Sequence, residues 1–317
     1  MENENQYLNF IKQLVEENKF ISLYDELKKI TDETIAQITT DEFLKMKELP
    51  NRDNFKNLLE NYENHMSLLI KVLSSICRFR NGLLYERIDE VVEKFIHIRK
   101  NDMDEYGYMW RNACNYPLLL IVYCLGISFL KSKSFEDLFS LLGKKVVHEY
   151  DLGKKSKVAI FEEINCYHVF NSVGNTSASL IQFFPQTEQG NIQTDAKEVL
   201  IANKRIYQYL FERMGYYFRD QVEFSDYFDL YEFFIGLVYI DKSIADGYGT
   251  WSPFGKNYFK YSGKGRTHIT FKESLVYNYL NDNGENILGA GFFDKKQEKF
   301  QKIFTEYQSF LYSISGY

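Results

Sequence analysis

YPLLLIVYCLGISFLKSKSFEDLFSLL, residues 116–142, is the stretch that decides the fold. From Leu118 to Leu130 every position except Gly126 and Ser128 is apolar, and an element that is apolar on all faces must be enclosed by protein or by lipid. As a helix those residues reach only about 20 Å, well short of the roughly 30 Å of a bilayer core, so protein is the expected surrounding and no membrane span is called for. Pro117 stands where a first helical turn tolerates proline, and Lys131, Ser132 and Lys133 supply the polar exit. The stretch predicts the central helix of an all-α core.

Helical periodicity continues on the N-terminal side. Leu8, Ile11, Leu14 and Val15, then Phe20, Leu23 and Leu27, predict one or two short amphipathic helices over residues 6–30. Thr39 and Glu42 make a capping-box pattern before Phe43 and Leu44, with Pro50 as the stop. Phe55, Leu58, Leu59, Tyr62, Met66, Leu69, Val72, Leu73 and Ile76 recur at spacings of three and four, which predicts a long helix over residues 54–80. Another is expected over residues 85–99, and the central helix is expected to begin near Glu105 or Pro117.

Composition shifts over residues 145–195, where NSVGNTSASLIQFFPQTEQGNIQTD is rich in Asn, Ser, Thr, Gln and Gly, the chemistry of loops around at most one or two short elements. The expected organisation is a helical lobe over 1–145, a loop-rich connection over 146–195 and a second helical lobe over 196–317, with one continuous domain as the alternative. In the second lobe Asp195 can cap a helix reaching about Phe218, and YEFFIGLVYI lies in an apolar helix over Phe228 to Ser243.

The segment 251–272, WSPFGKNYFKYSGKGRTHITFK, departs from this pattern. Lys256, Lys260, Lys264, Arg266 and Lys272 stand among Trp251, Phe254, Tyr258, Phe259, Tyr261 and Phe271 with no acidic residue between them. Ser262 to Gly265 can turn a hairpin between strands at 257–261 and 267–271, and Thr270 with Glu273 can cap the helix that follows. The fold class expected is therefore mainly α, a multi-helix array with a small β-hairpin near residues 257–271. Two readings of the hairpin stand. Lys256, Tyr258, Lys260, Lys264 and Arg266 can bind phosphates and stack on bases, or the aromatics can pack on the helices while the lysines are solvated, which is the favoured reading.

The chain of 317 residues is 45% apolar and 26% charged, near the globular norm, so it can bury a substantial core. Its net charge of −6 divides into −4 for residues 1–150 (20 basic, 24 acidic) and −2 for the remainder (18 basic, 20 acidic). A global nucleic-acid surface is thereby excluded, though not a local one. Cys77, Cys114, Cys124 and Cys166 are widely spaced in mostly apolar contexts and read as buried free thiols in a reducing compartment. MENENQYLNF has neither the basic nor the apolar region of a signal peptide, so the cytoplasm is expected.

Searches for chemistry find fragments. Arg80-Asn81 and Arg111-Asn112 begin the Arg to His spacing of HEPN-type ribonucleases, but no His follows. Gly263-Lys264-Gly265 lacks the upstream glycine and the Ser or Thr of a P-loop. Cys166 and His168 make half a metal site, and two further ligands at sensible spacing are missing, so structural roles are favoured. Asp226, Asp229 and Glu232 are read around the start of an apolar helix, where carboxylates suit its dipole. Only in a divergent nuclease or toxin would they act together with His168. Neither a metal nor a cofactor is expected.

Taken in order, YPLLLIVYCLGISFL (116–130), FDLYEFFIGLVYID (228–241), WSPFGKNYFK (251–260) and GAGFFDKKQEKFQKIF (289–304) resemble the C-terminal α-helical region of multidomain bacterial anti-phage defence proteins. In those proteins the region follows a TIR, sirtuin-like or Schlafen-type AlbA effector. The resemblance covers residues 105–317 and includes no catalytic signature; residues 1–104 look like more helices of the same kind rather than an effector. It implies a non-enzymatic sensing or regulatory role and carries over no active-site residue. A partner protein is expected, either an effector or a phage component. Nucleic acid and self-association remain open. Arg111 and Tyr116, with Tyr231 and Glu232, are the positions to inspect for a shared polar seam.

Overall fold

The structure is a computed structural model that describes residues 2–39, 52–78, 82–98, 112–149, 155–170, 194–250, 252 and 275–315. The apolar stretch forms helix α5 (Tyr116–Ser132), and every residue of it except Lys131 is buried. Pro117 sits in the first turn, so its missing N–H leaves no hydrogen bond unmade. The helix ends where Lys133 turns into the left-handed region (φ 57°); its N–H bonds to the Leu130 carbonyl at 3.1 Å and that of Ser134 to Phe129 at 2.8 Å.

Burial on all faces requires neighbours on all faces, and among the described residues six helices supply most of them. They are α3 (Arg52–Arg78), α4 (Gly82–Ile98), α6 (Phe135–Gly143), α8 (Cys166–Phe170), α9 (Thr194–Met214) and α10 (Gln221–Ala245). Outside this ring α1 (Glu2–Glu16) and α2 (Phe20–Ile38) pack on α3, and α2 also packs on α4. The periodic apolar stripe of α3, from Phe55 to Ile76, is buried as its spacing demands. Buried side chains form a contiguous cluster that runs from Leu8 to Leu311.

Two glycines allow the central helices to approach each other and their neighbours. A Cβ on Gly126 would lie 2.0 Å from Cε2 of Tyr231, and one on Gly236 would lie 2.0 Å from the Tyr307 hydroxyl. Each glycine is thus the floor on which a tyrosine ring rests, which accounts for the break in the apolar run of α5.

The fold is mainly α with a small two-stranded antiparallel sheet. Strand β1 (Lys145–Glu149) pairs with β2 (Lys155–Ala159), Val146 facing Val158 and Val147 facing Lys157. These strands fall in the loop-rich stretch where composition allows one or two short elements at most, and Val146, Val147 and Val158 are too few to show a period of two among the lysines. The hairpin expected at 257–271 and the caps at Thr39 and Thr270 lie outside the described residues. A single-turn helix, α7 (Ile160–Glu163), connects β2 to α8.

Helix α10 starts earlier than its apolar run suggests. Asp220 is the N-cap, its Oδ1 accepting the Glu223 N–H at 2.8 Å, so Asp226, Asp229 and Glu232 lie one to three turns inside the helix and not at its start. The C-terminal part contains α11 (Leu275–Asp282), α12 (Gly284–Gly289) and α13 (Gln297–Ser315), the last packed along α10. Between α12 and α13 three consecutive residues, Phe293, Asp294 and Lys295, have φ of 53°, 55° and 60°, a left-handed turn held by the buried rings of Phe292 and Phe293. Among the described residues no helix is long and apolar enough to cross a membrane.

Candidate functional site

Polar side chains enter the core along one face of α5. Tyr116 and Tyr123 are seven residues apart, two turns of helix, so their rings share a face about 10 Å apart along the axis. Each reaches a carboxylate from a different helix.

At the N-terminal end the Tyr116 hydroxyl donates to Glu63 Oε1 of α3 at 2.7 Å. Arg205 of α9 grips the same carboxylate with two parallel bonds, Nε to Oε1 at 2.7 Å and Nη2 to Oε2 at 2.8 Å. One turn further along α9 the Tyr209 hydroxyl donates to the Glu63 backbone carbonyl at 2.8 Å. Glu63 is therefore the knot joining α3, α5 and α9. Burial, then the charge of Glu63, holds the Tyr116 phenol well above its usual range.

Two turns on, Glu232 of α10 is fully buried and accepts the Tyr123 hydroxyl on Oε1 and Asn203 Nδ2 on Oε2, the latter at 3.2 Å. The Cys166 thiol of α8 donates to Asn203 Oδ1 and lies 3.6 Å from the Tyr123 hydroxyl. Tyr231 meets the Tyr123 ring edge-on at 5.0 Å, and its buried hydroxyl has no hydrogen-bond partner among the described residues. Burial pushes the Tyr123 and Tyr231 phenols and the Cys166 thiol well above their ordinary ranges, and the neighbouring Glu232 carboxylate adds to each. Burial also raises Cys77, Cys114 to about 11 and Cys124 to about 12. Since the thiolate is the nucleophile, thiols held protonated at neutral pH are poor ones.

Of the four positions expected to form one seam, the three that are described fall into two groups. Tyr116 belongs to the Glu63 knot, Tyr231 and Glu232 belong with Tyr123, and Arg111 lies outside the described residues. Lys256, Tyr258, Lys260, Lys264 and Arg266 lie outside them as well. Sequence reasoning missed Glu63, Tyr123, Asn203, Arg205 and Tyr209. Tyr123 had a local signal, as a hydroxyl in an otherwise apolar helix; the others are ordinary polar residues on amphipathic helices. Cys166 and His168 share α8, and the contacts of Cys166 are with Asn203 and Tyr123. Among the described residues no group of three or more His, Cys, Asp or Glu side chains is arranged to hold a metal ion.

A shallow cleft of about 180 Å³ opens between α4, α5 and α6, with Glu86, Asp89 and Asp137 around a floor of Val92, Leu125 and Phe129. Burial first, then Glu136 and Asp89, raises the Asp137 carboxyl to about 6. Lys144 bridges Asp89 at 2.8 Å and Glu93 at 2.9 Å, tying the start of the sheet to α4. Neither family models, nor curated proteins, nor solved structures compared with this chain give a match.

Proposed function

We propose that this chain is a helical recognition or regulatory protein of a bacterial anti-phage system, acting in the cytoplasm by binding a partner protein, either an effector or a phage component. One observation carries the binding reading: among the described residues, the polar groups clustered in the core are committed to holding helices together. Glu232, Tyr123 and Cys166 are sealed in the interior, and Glu63 is clasped by Arg205 and two tyrosines. Asp229 and Glu232, the carboxylates a divergent nuclease would enlist, are 5% and 0% exposed. A frame fastened in this way presents outer surfaces of fixed shape, on which Ile21, Val222 and Tyr248 stand exposed. The anti-phage assignment draws on the sequence patterns at 116–130, 228–241, 251–260 and 289–304.

The test is affinity purification of the tagged chain from cells carrying its native gene neighbourhood, with and without phage, read by mass spectrometry and nucleic-acid detection. A stoichiometric protein partner is expected. Recovery with nucleic acid alone would replace this reading by one centred on Lys256, Lys260, Lys264 and Arg266, with binding that falls steeply as salt rises. Recovery with no macromolecule in either state would overturn it.

A further inference from the structure

Lys131, the one residue of α5 that is not buried, ends in a built enclosure. Its Nζ lies 4.9 Å from the Phe218 ring centroid, 5.1 Å from that of Tyr227 and 5.6 Å from that of Tyr217, and 2.7 Å from Glu223 Oε1. Three aromatic faces and a carboxylate are the chemistry that recognises an organic ammonium. The parts come from separate elements: Tyr217 closes the 3-10 turn Gly215–Tyr217, Phe218 links it to α10, and Glu223 and Tyr227 stand on the first two turns of that helix.

Glu223 is held in place independently of its cation. Its second oxygen accepts the Arg219 N–H at 2.6 Å, and its own N–H donates to Asp220 Oδ1. Burial works to raise its carboxyl, but the Arg219 N–H and then Lys131 outweigh burial and lower it, keeping it charged. Phe218 is buried, whereas the side chains of Lys131 and Glu223 keep 18% and 26% of their exposure, so the cage opens at the surface.

We infer that this cage is a recognition site for a primary alkylammonium group, occupied in cis by Lys131, so that a lysine-type amine from outside enters only by displacing it. Glu223 selects the class: an oxygen 2.7 Å from the nitrogen needs an N–H to accept, which a quaternary ammonium cannot offer. The tether gives Lys131 an effective concentration on the order of millimolar or above, which any incoming amine must exceed. This site stands on its own geometry and does not depend on the partner-binding role proposed above.

The experiment compares the full chain with its Lys131→Ala variant, each titrated calorimetrically with n-butylammonium, which copies the lysine stem, and in parallel by thermal melting. Tetramethylammonium and sodium chloride at equal ionic strength are the controls. The variant should bind n-butylammonium saturably, at least about tenfold more tightly than the unaltered chain, given the millimolar tether. It should also prefer n-butylammonium to tetramethylammonium, and adding Glu223→Gln should abolish that preference. Equal affinity in variant and unaltered chain, or a response that sodium chloride reproduces, would overturn the inference. If Lys131→Ala and a second truncation, Lys131→Ser, fail to fold alone, folding restored by n-butylammonium and by neither control supports the site. Folding restored by none of them overturns it.

Discussion

Gly126→Ala is predicted to destabilise the chain by about 2 kcal/mol, the opposite sign from the same change in an ordinary helix. On an exposed helical surface Ala gains about 0.5–1 kcal/mol over Gly through backbone entropy. In α5 the new methyl would lie 2.0 Å from Cε2, 2.5 Å from Cζ and 2.7 Å from Cδ2 of Tyr231. Ordinary carbon contacts are about 3.5–4.0 Å, so the ring must withdraw by roughly 1.5 Å. It has nowhere to go, being fully buried and edge-on to Tyr123 at 5.0 Å. Overpacking a filled core costs about 1–3 kcal/mol; the upper end applies here, and the propensity gain offsets part of it. Urea denaturation followed by circular dichroism measures the loss. The decisive form is a double-mutant cycle with Tyr231→Leu, which removes the ring: in that background Gly126→Ala should cost little or nothing, giving a coupling of about 2 kcal/mol. A neutral or stabilising Gly126→Ala, or the same cost in both backgrounds, would refute the close approach of α5 and α10.

Arg205→Ala should cost about 2–3 kcal/mol, because it strips the two-pronged partner from a carboxylate only 14% exposed; Arg205→Lys should restore part of it, a single ammonium being unable to bridge both oxygens. The urea midpoints of the two variants check this, and equal midpoints for Arg205→Ala and the parent would refute it. Asp137→Asn should stabilise at pH 8 and be neutral at pH 4. With the folded carboxyl at about 6 against an ordinary 3.8, the native state binds the extra proton, so this group's contribution is greatest at low pH and is lost as pH rises through 6. The full shift corresponds to about 3 kcal/mol, which screening at a half-exposed group reduces to about 1 kcal/mol; unfolding at the two pH values measures it, and an equal effect at both would sink the assignment. Lys295→Gly should raise stability by about 1 kcal/mol, since glycine accepts φ of 60° without penalty, whereas Lys295→Ala should leave the melting temperature unchanged.

What was legible in the sequence is what helices write locally. The stripe of α3 repeats at three and four, and the closed apolar run of α5 permits only an enclosed helix; both are properties of neighbouring residues. The start of α10 was hidden for a different reason. Asp220 and Glu223 carry the capping signal, but they precede the first long apolar run by two turns, and the run from Phe228 dominates the pattern. The seam was half legible because its bonds are remote in sequence: Tyr116 meets Glu63 across 53 residues and Tyr123 meets Glu232 across 109. Nothing in the surroundings of Glu63 distinguishes it from the solvated acids of the same helix. Asn203 and Arg205 have the same character on α9, and only the packing of α9 between α3 and α10 reveals what they reach.

The buried acids follow from the buried tyrosines. A core built around α5 and α10 draws on an unusually aromatic sequence, 25 Tyr and 27 Phe, and a tyrosine ring fills the space between helices as well as phenylalanine does. Its hydroxyl, however, loses water on burial and must find an acceptor, at a cost of about 1–3 kcal/mol if it fails. A helix interior offers few, since its carbonyls are already bonded to its own N–H groups. Glu63 and Glu232 supply those acceptors for Tyr116 and Tyr123, and Arg205 and Asn203 saturate the oxygens that remain. A carboxylate beside a cysteine and two tyrosines resembles an active site on paper, yet here Glu232, Tyr123 and Cys166 each have a partner whose removal would expose an unmet bond in a dry core. Selection on these residues would therefore track stability. Selection for recognition would instead have to fall on the outer faces of the array, around exposed side chains such as Val222 and Tyr248, where a substitution costs the fold little and changes what the surface can bind.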